Sequence, residues 1–449
     1  MRIRDAVWGD TDFSSKEEAI IRSPTFQRLH RIKQLGNAYH LYPDAMHTRF
    51  SHSLGVCYLS KLLCVKADIP QEQREEIALA ALLHDITHVP FAHTLGGQFG
   101  FLQDWDKRAT YEQRFKDLQR EIEVMGLEII DPTQKLQLIQ LLERQDFIDI
   151  ASASFSKLDA PYRAELIADS FCADLLDYLR RDVLFCGLSR QYDPRILDHA
   201  TILTTGDGKL HFGLDITESS PMNHRRRCGS IVHEYIHLLR VRFDLSERVY
   251  FYPPKLGADA LLGKAFKIML HHGHTVGDKT PEDFLYSTSD ELLVEALCNH
   301  QDDNLKYLAA RLKHRQLPRC VLELQETDFT DTQRSVIHTT FRTKRNLPTW
   351  LEIEKEIASK AGVKHADILI NSLEPEMSLK GADALIYDED GQVRILNGYK
   401  EIPQAETLER EHRALWRLYV FSGQRDLETC HRVRNIAREV LFEFVSDAN

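Results

Sequence analysis

The apolar run Ile77–Leu83, IALAALL, ends directly in His84-Asp85. It consists of helix formers throughout and reads as a buried helix. A buried helix that delivers a carboxylate must also pair it or bind it to a cation, because an uncompensated buried charge is costly. The stretch it opens, His84–His93 (HDITHVPFAH), therefore constrains the fold more than any other. Adjacent His84 and Asp85 offer a nitrogen and an oxygen, donors that suit a first-row divalent cation with open positions. His88 lies one helical turn after His84 and can face the same cleft. A His-Asp dipeptide alone is common and carries little; its company in the first half of the chain carries the argument.

Ser23-Pro24 reads as a helix start, with Ser as N-cap and Pro at the first helical position. The spacing then predicts a helix through FQRLHRIKQL to Gly36, with Arg28, Arg31 and Lys33 on a solvated face. Residues 1–22 read as a polar lead-in. After the turn at Pro43-Asp44, His47, Arg49 and His52 lead into a second helix; two histidines with an arginine between them favour an anion site. Gly96, Gly97 and Gly100 interrupt regular structure after His93, and helix returns from about 111 to 148, divided at Asp131-Pro132. Ala164–Leu188 reads as one long helix with Asp174, Tyr178, Arg181 and Asp182 on a shared face and Asp177 placed to pair with Arg181. A hairpin is expected around Gly206–Gly208. The basic run Asn223–Cys228 reads as a solvated loop rather than an effector phosphate site.

The length of 449 residues suits a large helical domain, 1–317, and a smaller α+β accessory lobe, 318–449, with a soft boundary near Pro318. In that lobe a hairpin is expected over Asp388–Gly391, and HRALWRLYVF and CHRVRNIAREVLFEFV read as terminal helices. A net charge of −11 argues against broad electrostatic binding to nucleic acid, although a local patch stays open. Eight scattered cysteines without a CxxC pair, and a start without an apolar signal core, lead to the expectation of reduced thiols in a cytoplasmic protein. No segment is long and apolar enough to span a membrane.

Three separate segments, FQRLHRIKQLG, HTRFSHSLGV and LLHDITHVPFAH, together resemble the HD-domain superfamily, and within it the deoxynucleoside triphosphate triphosphohydrolases. The similarity covers roughly the first 255 residues. It implies a mainly α fold: an HD-domain helical core with a small hairpin and the C-terminal α+β lobe. It implies that Asp174 joins His52, His84 and Asp85 around one divalent metal ion, with Mn, Mg, Fe and Zn not distinguished. Gln34 and Leu35 fall where the family contacts base and sugar, and Tyr178 and Asp182 where it holds the sugar. Arg242 and Tyr250 fill places near substrate, and Arg49 and Arg242 suit a polyphosphate.

His88, His93 and the metal-side Asp85 are the candidate catalytic groups, the imidazoles for proton transfer. The implied reaction is metal-dependent hydrolysis of deoxynucleoside triphosphates to deoxynucleoside and triphosphate. The alternatives are an HD phosphohydrolase of another nucleotide or regiochemistry, a nucleotide phosphatase or phosphodiesterase, and a non-catalytic nucleotide sensor. A homo-oligomer is implied as well. Four departures bear on mechanism. Gly96 stands where the family has a carboxylate that orients a catalytic histidine, so His88, partnered by Asp104 or Asp106, is expected to matter more than His93. Tyr111 stands in place of a histidine, and Leu175 in place of a lysine used on phosphate. Tyr252-Pro253-Pro254 replaces a histidine-lysine pair, which implies weak or absent activation by added nucleotide.

Overall fold

The computed structural model describes the chain except residues 103–105, 127, 220–224, 375–376, 400–401 and 448–449. The protein is mainly helical, with small sheets set into two hydrophobic cores. In the first core the helices Arg49–Lys66, Gln71–Leu83 and Ala173–Phe185 pack around the apolar run at 77–83, every residue of which is buried. The run therefore needs no polar face, in keeping with its sequence.

The two cores do not divide at residue 318. The first runs from Phe13 to Val249 and takes back Leu379–Leu408; the second takes Val89–Leu102 from the HD stretch and joins them to residues from 256 onward. One sheet crosses the expected boundary. Strand Leu385–Tyr387 pairs in parallel with Leu210–Asp215, which pairs in turn with Ala200–Thr204 in the expected hairpin. Gly213 permits this approach, since a Cβ there would lie 2.5 Å from the Leu385 carbonyl oxygen. Leu385–Tyr387 also pairs with Val393–Ile395 across the turn expected at 388–391.

Several local expectations are corrected. The lead-in is a hairpin, Arg2–Asp5 with Gly9–Asp12, followed by a helix, Ser15–Arg22, closed by a Ser14/Glu17 capping box. The helix begun at Ser23-Pro24 lasts only Pro24–Gln27 and tightens into a 3-10 turn, Arg28–Arg31. Arg31 is exposed, but Arg28 and Lys33 are not on a solvated face: Arg28 donates to the Ile86 and His88 carbonyls, and Lys33 is buried against Asp290 and Glu291. The long helix is two, Tyr162–Ala168 and Ala173–Phe185. HRALWRLYVF is not a terminal helix: Arg417–Ser422 is the central strand of an antiparallel three-stranded sheet with Arg319–Gln325 and Ile368–Ser372. Tyr419, Val420 and Phe421 favour a strand once both edges are paired. Of the basic run, Asn223 and His224 lie outside the described residues, while Arg225–Arg227 forms a short strand.

Candidate active site

Thr48 and Ser51 form a capping box that starts the helix Arg49–Lys66, placing Arg49 at its first position and His52 one turn in. The bridge between Lys33 and Thr48, with the Gln34 amide donating to the His47 carbonyl at 3.0 Å, ties Gln34 and Leu35 to that helix start. His84 caps the helix Gln71–Leu83, and the Arg28 guanidinium gathers the carbonyls of the turn that follows.

His52, His84 and Asp85 are buried, and one ligand atom from each lies within 4.8 Å of the others. Asp174, near the start of its helix, places Oδ1 3.1 Å from His52 Nε2. His84 commits Nδ1–H to the Ala81 carbonyl at 2.8 Å, while its Nε2 is buried without a hydrogen-bond partner among the described residues. His52 turns Nδ1 to Asp177 Oδ2 at 2.7 Å. Both imidazoles thus keep Nε2 for the cluster and fix their tautomers through the other nitrogen, the usual arrangement of metal-binding histidines. Two imidazoles and two carboxylates fit a divalent first-row cation.

Behind His52, Asp177 accepts from Trp8 Nε1 at 2.6 Å and from Arg181, which also reaches Asp5 in the N-terminal hairpin. The expected Asp177–Arg181 pair is present, fully buried. Burial works against both charges, yet the carboxyl stays well below the carboxylate range because Arg181 and His52 face it. For His52, burial is outweighed by Asp174 and Asp177, which raise it to about 9.

A cavity of about 480 Å3 adjoins the cluster. Gln34, Leu35, Arg49, His93, Asp174, Tyr178, Asp182, Arg242 and Tyr250 all line it. Its volume is in the range of small-molecule sites. Among the described residues, Gln34 Oε1, Arg49 Nε, Tyr178 Oη and Arg242 Nε are buried without a hydrogen-bond partner. Buried polar atoms are normally paired, so these four have hydrogen-bonding capacity to spare. Arg49 also donates to Asp85 Oδ2 at 2.8 Å, and the Arg242 guanidinium lies 5.1 Å from the ring centroids of both Tyr178 and Tyr250. Asp182 is engaged already, by His47 at 2.8 Å and by the Tyr250 hydroxyl at 2.6 Å.

His93 is on the cavity wall and its ring centroid is 5.3 Å from that of His88. The carboxylate beside His88 is Asp85, 3.1 Å from Nδ1; of the loop carboxylates expected there, Asp104 lies outside the described residues. Burial, reinforced by Arg49, pushes His93 down to about 3 and His88 well below the usual range, with Asp85 opposing in both. Tyr111 is buried with its hydroxyl on the His84 carbonyl.

Sequence reasoning missed what the C-terminal half contributes. Arg342, Glu374, Met377, Ser378, Lys380 and His412 also line the cavity. Lys380 Nζ is 2.5 Å from Asp174 Oδ2; partial burial works against the ammonium, and that carboxylate outweighs it. The chain segment 206 residues away thus returns a lysine to the neighbourhood of Leu175, whose own side chain is fully buried. No periodicity near residue 380 announces this role.

Residues 49–182 match the HD domain family and residues 237–442 match the HD associated region. The chain belongs to the HD-domain superfamily, and its likeness reaches well past residue 255. Among characterised relatives, it is 30% identical over 240 residues to the deoxynucleoside triphosphate triphosphohydrolase SAMHD1 of Danio rerio, a match covering 46% of this chain and 38% of the relative. The SAMHD1 of Gallus gallus is 28% identical over 257 residues, covering 50% and 41%. An uncharacterized protein of Methanocaldococcus jannaschii is 29% identical over 265 residues, covering 59% and 48%. The chain spans less than half the length of each of these relatives. The fold is shared with a phosphohydrolase of Bacteroides thetaiotaomicron, TM-score 0.65 at 19% identity over 94% of this chain and 100% of that one. A hypothetical protein of Aquifex aeolicus has TM-score 0.63 at 19% identity over 97% and 99%.

Proposed function

We propose that the protein is a metal-dependent phosphohydrolase that cleaves deoxynucleoside triphosphates to deoxynucleoside and triphosphate. The supporting observation is convergence: the seven residues expected to touch substrate line one cavity beside His52, His84, Asp85 and Asp174, and four of them carry unpartnered buried polar atoms. In this reading the His-Asp quartet holds one divalent cation, which supplies Lewis acidity toward a phosphate oxygen and acidifies water. Arg49 and Arg242 carry permanent charge and suit the phosphate chain. Tyr178, walled in by Arg242, reads the sugar face, and Gln34 and Leu35 contact the base side. The alcohol leaving group needs a proton near neutral pH; His88, beside Asp85, or His93, whose ring neighbours that of His88, is the proposed relay.

The second reading, another nucleotide or another regiochemistry, is favoured by Asp182. Its two oxygens are spent on His47 and Tyr250, so it has less to offer a sugar hydroxyl. Incubation with each dNTP and NTP in Mg or Mn, with nucleosides and phosphates separated, decides between them. Deoxynucleoside with intact triphosphate is expected, and dATP is expected to turn over faster than ATP. Orthophosphate or a nucleoside monophosphate as first product would overturn the proposal. We further propose a homo-oligomer in the cytoplasm that takes a nucleotide as substrate and works away from membranes. All eight cysteines are free, as a reducing compartment would keep them, and among the described residues no helix is long and apolar enough to cross a membrane.

A further inference from the structure

The turn that carries Lys380 is built to hold it still. Gly381 adopts φ +102°, which side-chain-bearing residues rarely adopt, and a Cβ there would lie 3.1 Å from Leu239 Cδ2 and 3.5 Å from Leu175 Cδ2. The Tyr235 hydroxyl donates to the Gly381 carbonyl at 2.7 Å, and the Leu379 amide donates to Glu409 Oε2 at 2.7 Å. Leu175, directly after Asp174, is therefore part of the seat on which this turn rests.

From that seat Lys380 reaches Asp174, whose carboxylate faces two ways: Oδ1 toward His52 and Oδ2 toward the ammonium. An ammonium has three N–H donors, and Asp174 takes one. The side chain keeps 32% exposure and lines the cavity. Its Nζ is 5.8 Å from the Tyr178 ring centroid, the same ring that Arg242 approaches at 5.1 Å. The lysine and arginine that the second half of the chain otherwise brings to the cavity are committed elsewhere: Lys255 to Asp259 at 2.6 Å, and Arg342 to Glu374 at 2.8 Å and the Gly97 carbonyl. Two cations therefore converge on one aromatic wall beside the metal-side carboxylate.

We propose that Lys380, carried into the site by the C-terminal turn, binds the polyphosphate chain of the substrate beside Asp174, with Arg242 facing it across Tyr178. This rests on the nucleoside-triphosphate reading above. It assigns to residues 377–381 a part in substrate binding that the first half of the chain cannot supply alone.

The test is calorimetric binding of inorganic tripolyphosphate to the full-length protein in Mn2+, with metal content measured alongside. Lys380→Gln is expected to weaken tripolyphosphate binding about 10- to 100-fold, the span of one charge-assisted hydrogen bond. Manganese stoichiometry and thermal midpoint should hold, and Lys380→Arg should recover most of the affinity. Unchanged tripolyphosphate affinity in Lys380→Gln overturns the proposal. Parallel loss of manganese also overturns it, because Lys380 would then serve only to hold Asp174. The two readings fail separately. If the intact protein binds tripolyphosphate through Lys380 yet cleaves no dNTP, the proposed reaction falls and the anion site stands; if dNTPs are cleaved with equal KM by Lys380→Gln, only the anion site falls.

Discussion

Gly55 shows how tightly the orientation of His52 is specified. A Cβ on it would stand 1.9 Å from Asp177 Oδ1 and 2.5 Å from an Arg181 nitrogen, so the helix must carry no side chain where the carboxylate comes in behind His52. Gly55→Ala is therefore expected to push Asp177 off His52 and lower metal affinity about 10- to 100-fold, as loss of a ligand's supporting carboxylate does elsewhere. Manganese titration of the purified variant checks it, and unchanged affinity would mean that Asp177 does not orient the ligand. His88 and His93 make a second expectation. His88 sits against Asp85, 3.1 Å from its Nδ1, whereas the glycine at 96 gives His93 no carboxylate at that position. His88→Ala should lose most of the turnover while keeping its metal, and His93→Ala should be milder. The reverse order in single-turnover assays would give the proton relay to the cavity-lining ring.

At the scale of elements, one buried cluster sits apart from the site. Lys264 and Lys267, one turn apart on the helix Pro253–His272, share the single carboxylate of Glu354, with His365 on Lys264 and Trp350 under Lys267. Two ammonium groups to one carboxylate leave an excess charge in the second core. Burial accordingly pushes Lys267 down to about 7, with Glu354 opposing. A base depressed in the folded state binds fewer protons folded than unfolded, so its stability contribution is present above the ordinary lysine range and is lost as pH falls through about 7. Lys267→Met should raise the thermal midpoint at pH 7 and flatten its rise between pH 7 and pH 10. A midpoint that falls at pH 7 would show that the second lysine is needed by Glu354.

How far the elements were legible follows from where their causes lie. The helices holding Arg49, His52 and His84 declare themselves through caps and apolar runs, which are local. The break at 169–172, the hairpin that brings Asp5 and Trp8 to Asp177, and the strand at 417–422 depend on partners far along the chain. Pairing at that distance has no local signature. The cavity was half legible for the same reason: Gln34, Arg49 and Tyr178 lie in recognisable motifs, whereas Lys380 and Arg342 do not.

For the whole molecule, the first core takes back Leu379–Leu408 and the second takes Val89–Leu102, so the two halves hold each other's segments. A chain ended at residue 317 is expected to lose cooperative unfolding rather than yield a folded domain. Calorimetry of that truncation checks the point, and a sharp transition with bound manganese would count against it. The assembly expectation also belongs here. Sedimentation should show a homo-oligomer, and added nucleotide should activate weakly or not at all. A strict monomer removes the first half of that statement and strong activation the second.

The distance in sequence between Asp174 and Lys380 also has a meaning in time. The proposed cation ligands are all synthesised by residue 174, and the lysine follows 206 residues later. At ~5–20 residues per second, a ribosome takes roughly 10–40 s to cover that stretch. For that interval a nascent chain offers the cellular metal pool its histidines and carboxylates with no ammonium among them. The direction of translation thus completes the histidines and carboxylates before the lysine that Asp174 holds.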